Sequence, residues 1–166
     1  QKLRITAYAD ANFGMGFKVG DDIANSSRRA ITGAVMFVNN TLMEYFAKRQ
    51  PTTSMNTAEA EYIALSFTAS HIIFYRQVLE SFNLLEDGPS TLNGDNTASI
   101  SIANNDMIHS RVKHLDVKLH FIRELINMKH VRVVHISTEH QLGDLLTKAL
   151  APARFEKLRN KILCLL

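Results

Sequence analysis

Leu3-Arg4-Ile5-Thr6-Ala7-Tyr8-Ala9-Asp10 is the stretch on which the fold turns. Apolar residues recur at Leu3, Ile5, Ala7 and Ala9, the two-residue period of a strand, and the run stops at an acid followed by Ala11-Asn12-Phe13-Gly14. Asp10 therefore falls at the mouth of a first strand. An aspartate in that place is ordinarily a turn former, because its short carboxylate accepts from nearby backbone N–H groups. Three further acids point beyond that role. Glu61 opens the longest helical pattern, Asp95 ends a later strand, and Asp144 lies in a helix just after the last strand. Four acids at element ends are the raw material of a magnesium site.

Downstream of the glycine- and charge-containing stretch 13–29, residues 30–38 resume an extended apolar run that includes Gly33 and Val35. Asn39-Asn40 supplies two residues that tolerate positive φ, and 41–46 follows as the return strand of a hairpin. The spacing thus predicts an antiparallel meander of three strands. The polar connection from Lys48 to Ser54 stops the sheet, since Pro51 lacks the N–H that a ladder needs.

A helix is predicted over 57–81, and a 100° step per residue separates its two nearby glutamates. Glu61 lies in line with Ala58, Leu65, Ala69, Ile72 and Leu79, whereas Glu59 lies in line with Ser66, Ser70 and Gln77. Only Glu61 is expected to face the core, and a buried carboxylate asks for a cation. Glu59 instead fits a capping-box arrangement with Asn56 as N-cap. A second stripe of Ile63, Phe67, Phe74 and Val78 predicts that the helix is covered on more than one side.

After a turn at 86–89, a short strand ends at Asp95 and a short helix follows over 96–103. Asp95 is also placed as an N-cap of that helix, so capping and metal ligation both stand for it. The basic stretch 107–114 approaches a helix with Leu115, Leu119, Ile122 and Ile126 on its core stripe and Asp116, His120, Arg123 and Asn127 opposite. His109, His114 and His120 have no accompanying cysteine and fit no structural zinc spacing. Residues 131–136 form the last strand, and Thr138 with Gln141 has the form of a capping box. The helix it would start buries Leu142, Leu145, Leu146 and Ala149 beside Asp144 and ends at Pro152, leaving 154–159 as a docking helix.

Length and composition agree with this layout. At 166 residues the chain predicts one domain over 1–166, able to bury about 70% of its unfolded surface. Apolar residues at 46% and charged residues at 21% describe an ordinary globular protein, with no stretch long enough to span a membrane and no signal-like start. The single cysteine, Cys164, forms no internal disulfide and is compatible with a reducing compartment. A net charge of +3 is small, but acids gathered around metal would leave the remaining surface more basic than that figure.

The strings YADAN, SRRAITG, KRQ, TAEAEYIALS, GDNTASI, HSRVKHLDVKLHFIRE and TEHQLGDLLTKAL, in that order, cover nearly the whole chain. Together they resemble the ribonuclease H domain at the end of the reverse transcriptase of Copia-type (Pseudoviridae) LTR retrotransposons. The resemblance implies an α/β ribonuclease H-like fold, a mixed five-stranded sheet of three antiparallel and then two parallel strands flanked by helices. It implies cleavage of the RNA strand of RNA–DNA hybrids during reverse transcription. The family's metal-binding acids fall by motif on Asp10, Glu61, Asp95 and Asp144, the four acids marked by position.

Two Mg²⁺ ions, with Mn²⁺ as substitute, suit such oxygen ligands and the in-line hydrolysis of a phosphodiester. By resemblance, Asp10 bridges both ions, Glu61 and Asp95 lie on the leaving-group side, and Asp144 lies on the nucleophile side. His140, one turn before Asp144, is either a surface residue or an aid to proton transfer or product release. Lys48, Arg49, Arg111, Lys113, His114, Lys118 and Arg123 are candidates for phosphate contact, and Gly94, Asn96, Gln50 and Ser54 for reading 2′-hydroxyls. The implied partners are the hybrid and the polymerase domain of the same polyprotein, with no membrane. The implied location is intracellular, in a cytoplasmic virus-like particle. Phe13 and Gly94 depart from the tryptophan and cysteine frequent in the family, and neither change removes a ligand. A domesticated, non-cleaving scaffold or binding module is the alternative. An integrase or resolvase of the same superfamily is disfavoured by the TAEAEYIALS and LGDLLTK strings.

Overall fold

The computed structural model describes residues 1–13, 29–104 and 116–163, the side chains of 116–119 excepted. Strands β1 (Ile5–Asn12), β2 (Ile31–Val38) and β3 (Thr41–Arg49) form the expected meander, with β1 and β3 both antiparallel to β2. Asn39 and Asn40 turn the hairpin with φ of 47° and 67°. β3 continues to Arg49, past the predicted end, because its pairing with β2 runs on to Ile31↔Arg49. β4 (Ser90–Gly94) and β5 (Val131–His135) then add in parallel, giving the order β3-β2-β1-β4-β5.

Helices cover both faces of this sheet. On one face lie α1 (Thr57–Ser81), α2 (Thr97–Asn104) and α3 (Asp116–Asn127). Their core joins Ile5, Ala7, Ala9 and Ala11 of β1 to Leu65, Ala69 and Ile72 of α1 and Ile122 of α3. On the other face α4 (Asp144–Thr147) packs through the partly buried Leu145 and Leu146, and α5 (Pro152–Ile162) through Leu158 and Ile162, against the cluster that holds Val35 and Phe37. The alanines of β1 allow α1 to approach closely, and full burial of residues such as Leu65 and Ile72 contributes about 1.5–3 kcal/mol each. No helix among the described residues is long and apolar enough to cross a membrane.

Local chemistry fixes the ends of the helices. Asn56 Oδ1 accepts the N–H of Glu59 at 2.9 Å to open α1. At the other end Asn83, with φ of 54°, closes the helix through Asn83 N–H to Glu80 O and Leu84 N–H to Leu79 O, both 2.8 Å, a Schellman motif. The expected second covered stripe of α1 holds only in its first half. Ile63 is buried, but Phe74 is 60% exposed and Val78 is exposed too, since nothing described overlies the end of that face.

Two other expectations are corrected near α4. Thr138 opens no α-helix: Thr138–His140 is a short 3₁₀ turn without a side-chain cap, and α4 spans only Asp144–Thr147. Gln141 is drawn inward instead, donating from Nε2 to Ala9 O at 2.9 Å and accepting from Gly143 N–H at 3.1 Å. A buried amide on two backbone groups outweighs what the same side chain would gain at an exposed cap. Ala149 is exposed, and Pro152 begins α5 instead of ending α4.

Candidate metal centre

The parallel pairing of β1 with β4 brings the carboxyl ends of two strands side by side, the usual place for a site in an open α/β sheet. Asp10 stands near the end of β1, Asp95 follows β4, and the first turns of α1 carry Glu61 across to them. Each of the three offers an oxygen within 4.8 Å of the others. Asp10 is fully buried, Glu61 is 5% exposed, and Asp95 is half-buried at the rim. Oxygen donors alone, gathered this closely, suit a hard divalent cation.

Electrostatics show what the cluster would take. Burial pushes the Glu61 carboxyl up to about 9, with the charges of Asp10 and Asp95 adding to it and the N–H of Ala11, 3.2 Å from Oε2, opposing it. Asp10 is raised as well, again chiefly by burial, against the pull of the Thr147 hydroxyl and Lys148. A cation among these carboxylates would reverse both shifts. The donor set and its charge therefore fit a metal.

Asp144 is fully buried but stands apart from the three-acid group. Its Oδ1 accepts from Lys148 Nζ at 2.5 Å and its Oδ2 from Arg154 Nη2. Lys148 reaches across to Asp10 Oδ1 at 3.1 Å, so one ammonium links the two aspartates. Burial works against that charge, yet the hydrogen bonds and charges of Asp144 and Asp10 outweigh it and raise the Lys148 pKa. Asp10 Oδ2 accepts from the Thr147 hydroxyl, and Asn12 Nδ2 donates to Thr147 O at 2.7 Å, tying α4 to the end of β1.

Lys148, Thr147, Arg154 and Asn12 are site residues that the strand-and-acid argument passed over. Lys148 had a legible signal, since it lies four residues after Asp144 on one helical face. Close approach of α4 to the sheet also depends on two glycines. A Cβ at Gly143 would stand 2.8 Å from Asp10 Cβ, and one at Gly33 would stand 2.6 Å from Thr147 Cγ2.

The expected roles of several other residues change. Asp95 is not the cap of α2, because Asn96 Oδ1 accepts the Ser99 N–H at 2.9 Å. That leaves Asp95 to the acid cluster and commits the Asn96 side chain to the helix. Gln50 and Ser54 are buried, with Gln50 Nε2 donating to Ala60 O at 2.8 Å and Thr32 Oγ1 at 3.1 Å and Ser54 Oγ donating to Gln50 Oε1 at 3.1 Å. These bonds pin the loop before α1, which accounts for the two residues without a 2′-hydroxyl. Glu59, expected on a polar face, is 3% exposed because its Oε2 folds back to Met55 N–H at 2.8 Å.

Gly94 is buried under Leu65 and Ile100, and its carbonyl accepts from Ile136 N–H at 2.8 Å. His140 is exposed, bonded through Nδ1 to Ser137 Oγ at 2.9 Å. It lines a cavity with Tyr8, Phe37 and Lys161. Lys48 and Arg49 are exposed at the end of β3, with Lys48 Nζ 4.8 Å from the centre of the Phe67 ring. Arg111, Lys113 and His114 lie outside the described residues.

Comparison with known proteins agrees with this fold. No family model matches the chain. It is 30% identical over 152 residues to the retrovirus-related Pol polyprotein from transposon TNT 1-94 of Nicotiana tabacum, covering 92% of this chain and 11% of that protein. It is 30% identical over 160 residues to the retrovirus-related Pol polyprotein from transposon RE1 of Arabidopsis thaliana, covering 96% and 10%. The chain thus spans about a tenth of the length of these relatives.

Among solved structures, LC11-RNase H1 from compost superposes with a TM-score of 0.57 at 16% identity, covering 93% of this chain and 91% of that one. The complex of that protein with an RNA/DNA hybrid gives 0.51 at 13%, covering 83% and 88%. The prototype foamy virus protease-reverse transcriptase gives 0.55 at 16%, covering 99% of this chain and 21% of that one. The chain has the ribonuclease H fold, and its homologues are the Pol polyproteins of Copia-type retrotransposons.

Proposed function

We propose that this single domain is a metal-dependent ribonuclease H that hydrolyses the RNA strand of RNA–DNA hybrids during retrotransposon reverse transcription. The observation that carries the proposal is the convergence of Asp10, Glu61 and Asp95 oxygens within 4.8 Å at the carboxyl ends of β1 and β4. Asp10, Glu61, Asp95 and Asp144 would hold two Mg²⁺ ions, or Mn²⁺ in their place. Bound there, the ions supply the activated water and the charge clamp that in-line phosphodiester hydrolysis needs. Asp10 is central because it lies beside Glu61 and Asp95 and shares Lys148 with Asp144.

The substrate class is supported by the solved hybrid complex of LC11-RNase H1. The polymerase domain of the same polyprotein is the expected partner, supported by the Pol relatives and the foamy virus reverse transcriptase, and a cytoplasmic particle is the setting expected from the resemblance alone. Lys48 and Arg49, exposed at the end of β3, remain candidates for phosphate contact, as Arg111, Lys113 and His114 do on sequence grounds. His140 is proposed only as an auxiliary residue, given its bond to Ser137.

A second reading, a binding module that does not cut, is favoured by one observation. Lys148 pairs with both Asp10 and Asp144, a cation that the chain itself supplies between two of the four acids. Incubation of the protein with Mg²⁺ and labelled RNA–DNA hybrid, double-stranded RNA and duplex DNA separates the two readings. Cutting confined to the RNA of the hybrid supports the nuclease, whereas hybrid retention without cutting supports the binder.

A further inference from the structure

The two sides of Asp10 differ in what they offer an incoming cation. On the side of Glu61 and Asp95 the carboxylates face one another with no cationic side chain among the described residues hydrogen-bonded between them, and the N–H of Ala11 reaches Glu61. On the side of Asp144 a positive charge is already in place: Lys148 Nζ lies 3.1 Å from Asp10 Oδ1 and 2.5 Å from Asp144 Oδ1. Arg154 takes the other oxygen of Asp144.

We propose that Lys148 is a resident counter-ion that makes metal loading ordered. One divalent ion binds first on Asp10, Glu61 and Asp95, and a second enters only by displacing the Lys148 ammonium from between Asp10 and Asp144. This rests on the metal-site reading above and goes beyond it, since the four acids alone set no order.

The two cations that hold Asp144 are built differently. Arg154 is fixed by a second hydrogen bond, Nη2 to Thr138 O at 2.7 Å, and belongs to the first turn of the packed helix α5. Lys148 is the C-cap residue of α4, where the helix has already ended in extended backbone. The two side chains are equally exposed, at 33%, so the contrast lies in their build. Four single bonds let the Lys148 head swing to water while its stem stays put, whereas the Arg154 guanidinium is a planar fork held at Asp144 and Thr138. Charge balance favours the same exchange. Asp10 and Asp144 carry two negative charges against one ammonium and one guanidinium, so a divalent ion arriving beside a retained ammonium would leave that side over-neutralised. The ammonium leaves still protonated, and no covalent bond changes.

The mechanism also explains why Asp144 stands outside the three-acid group. Its oxygens are aimed at Lys148 and Arg154, and re-aiming Oδ1 toward a metal requires release of the first of these. Lys148 is therefore a positioning residue, acting on the reaction through Asp10 and Asp144.

Mn²⁺ binding, measured by calorimetry without nucleic acid, tests this on the wild type, Lys148→Met and Lys148→Arg, alongside thermal melts in EDTA and in Mn²⁺. The wild type is expected to bind one ion and then a second at least about tenfold more weakly, a gap of roughly 1.4 kcal/mol. Lys148→Met narrows that gap, melts below the wild type in EDTA, and gains more from Mn²⁺ than the wild type does. Lys148→Arg keeps the gap. If Lys148→Met does not fold, Lys148→Gln, which retains a donor without the charge, is measured in its place. Two equal sites in the wild type, or an unchanged gap in the uncharged variant, would overturn the ordered loading while leaving the metal site intact. No Mn²⁺ bound by any of the proteins would overturn both.

Discussion

Glu61 accepts a hydrogen bond from the N–H of Ala11, so the residue next to Asp10 in β1 is tied directly to the first turns of α1. The bond holds two acids of different elements in register, and it leaves Glu61 buried beside Asp10 and Asp95 with its carboxyl raised to about 9. Stability without metal should follow from this. Between the ordinary value of 4.5 and 9 the folded protein binds a proton at Glu61 that the unfolded chain does not, so stability is greatest at low pH and falls as pH rises through that window. The elevated Asp10 adds to the trend. Melting temperature in EDTA should therefore drop from pH 6 to pH 9, and saturating Mg²⁺ should flatten the slope, because the metal binds the ionised site of the folded state. A metal-free melting temperature that rises over this range would contradict the assignment.

Asp95 and Asn96, adjacent in sequence, should fail in different ways. Asp95→Asn removes a charge that raises Glu61 and leaves the cap of α2 untouched, so the variant is expected to be inactive yet to melt above the parent in EDTA. Asn96→Ala removes the acceptor of the Ser99 N–H and should cost about 1 kcal/mol of stability. Paired melts and hybrid-cleavage rates for the two variants check this.

The two glutamates of α1 should also separate, although both are buried. Glu61→Gln is expected to abolish turnover, since it removes a ligand. Glu59→Gln keeps an oxygen for the Met55 N–H and should retain most activity, with a stability loss of about 1 kcal/mol or less. A dead Glu59→Gln with an active Glu61→Gln would reverse the roles assigned here.

Gly143→Ala tests how the second face of the sheet supports the site. The added methyl would meet Asp10 Cβ at 2.8 Å and the Asp10 backbone N at 3.0 Å, atoms that have no free room to retreat. A stability loss of about 1–3 kcal/mol, typical of overpacking, is expected together with a large fall in activity. Circular-dichroism melts and a cleavage assay on the same preparation would show whether the two losses coincide.

Much of this was legible in the residues, and the gaps have physical causes. The period-2 run to Asp10, the Asn39-Asn40 turn and the bounds of α1 are local signals, and the structure reproduces them. Asp10, Glu61 and Asp95 were readable because element ends bearing acids are conspicuous in a chain with ordinary composition. The parts that were missed depend on long-range contact. Gln141 donating to Ala9 O, and Thr147 and Lys148 reaching Asp10, join segments more than 130 residues apart. Glu59 was misplaced because a helical wheel does not show a loop folding back over the first turn. The cap of α2 is ambiguous in the sequence because Asp95 and Asn96 are both good capping residues, and the Ser99 bond decides between them.

The most direct test of the account is the identity of the ends left on the RNA. A hybrid with labelled RNA is incubated with the wild type and with Asp10→Asn, in Mg²⁺ and in excess chelator, and the products are resolved by terminus. Water-mediated hydrolysis with a 3′-oxygen leaving group predicts 5′-phosphate and 3′-hydroxyl ends, formed by the wild type in Mg²⁺ and absent in the other three conditions. Cleavage that survives chelator or Asp10→Asn, or that leaves 2′,3′-cyclic phosphates, would contradict a metal-dependent ribonuclease H built on these acids.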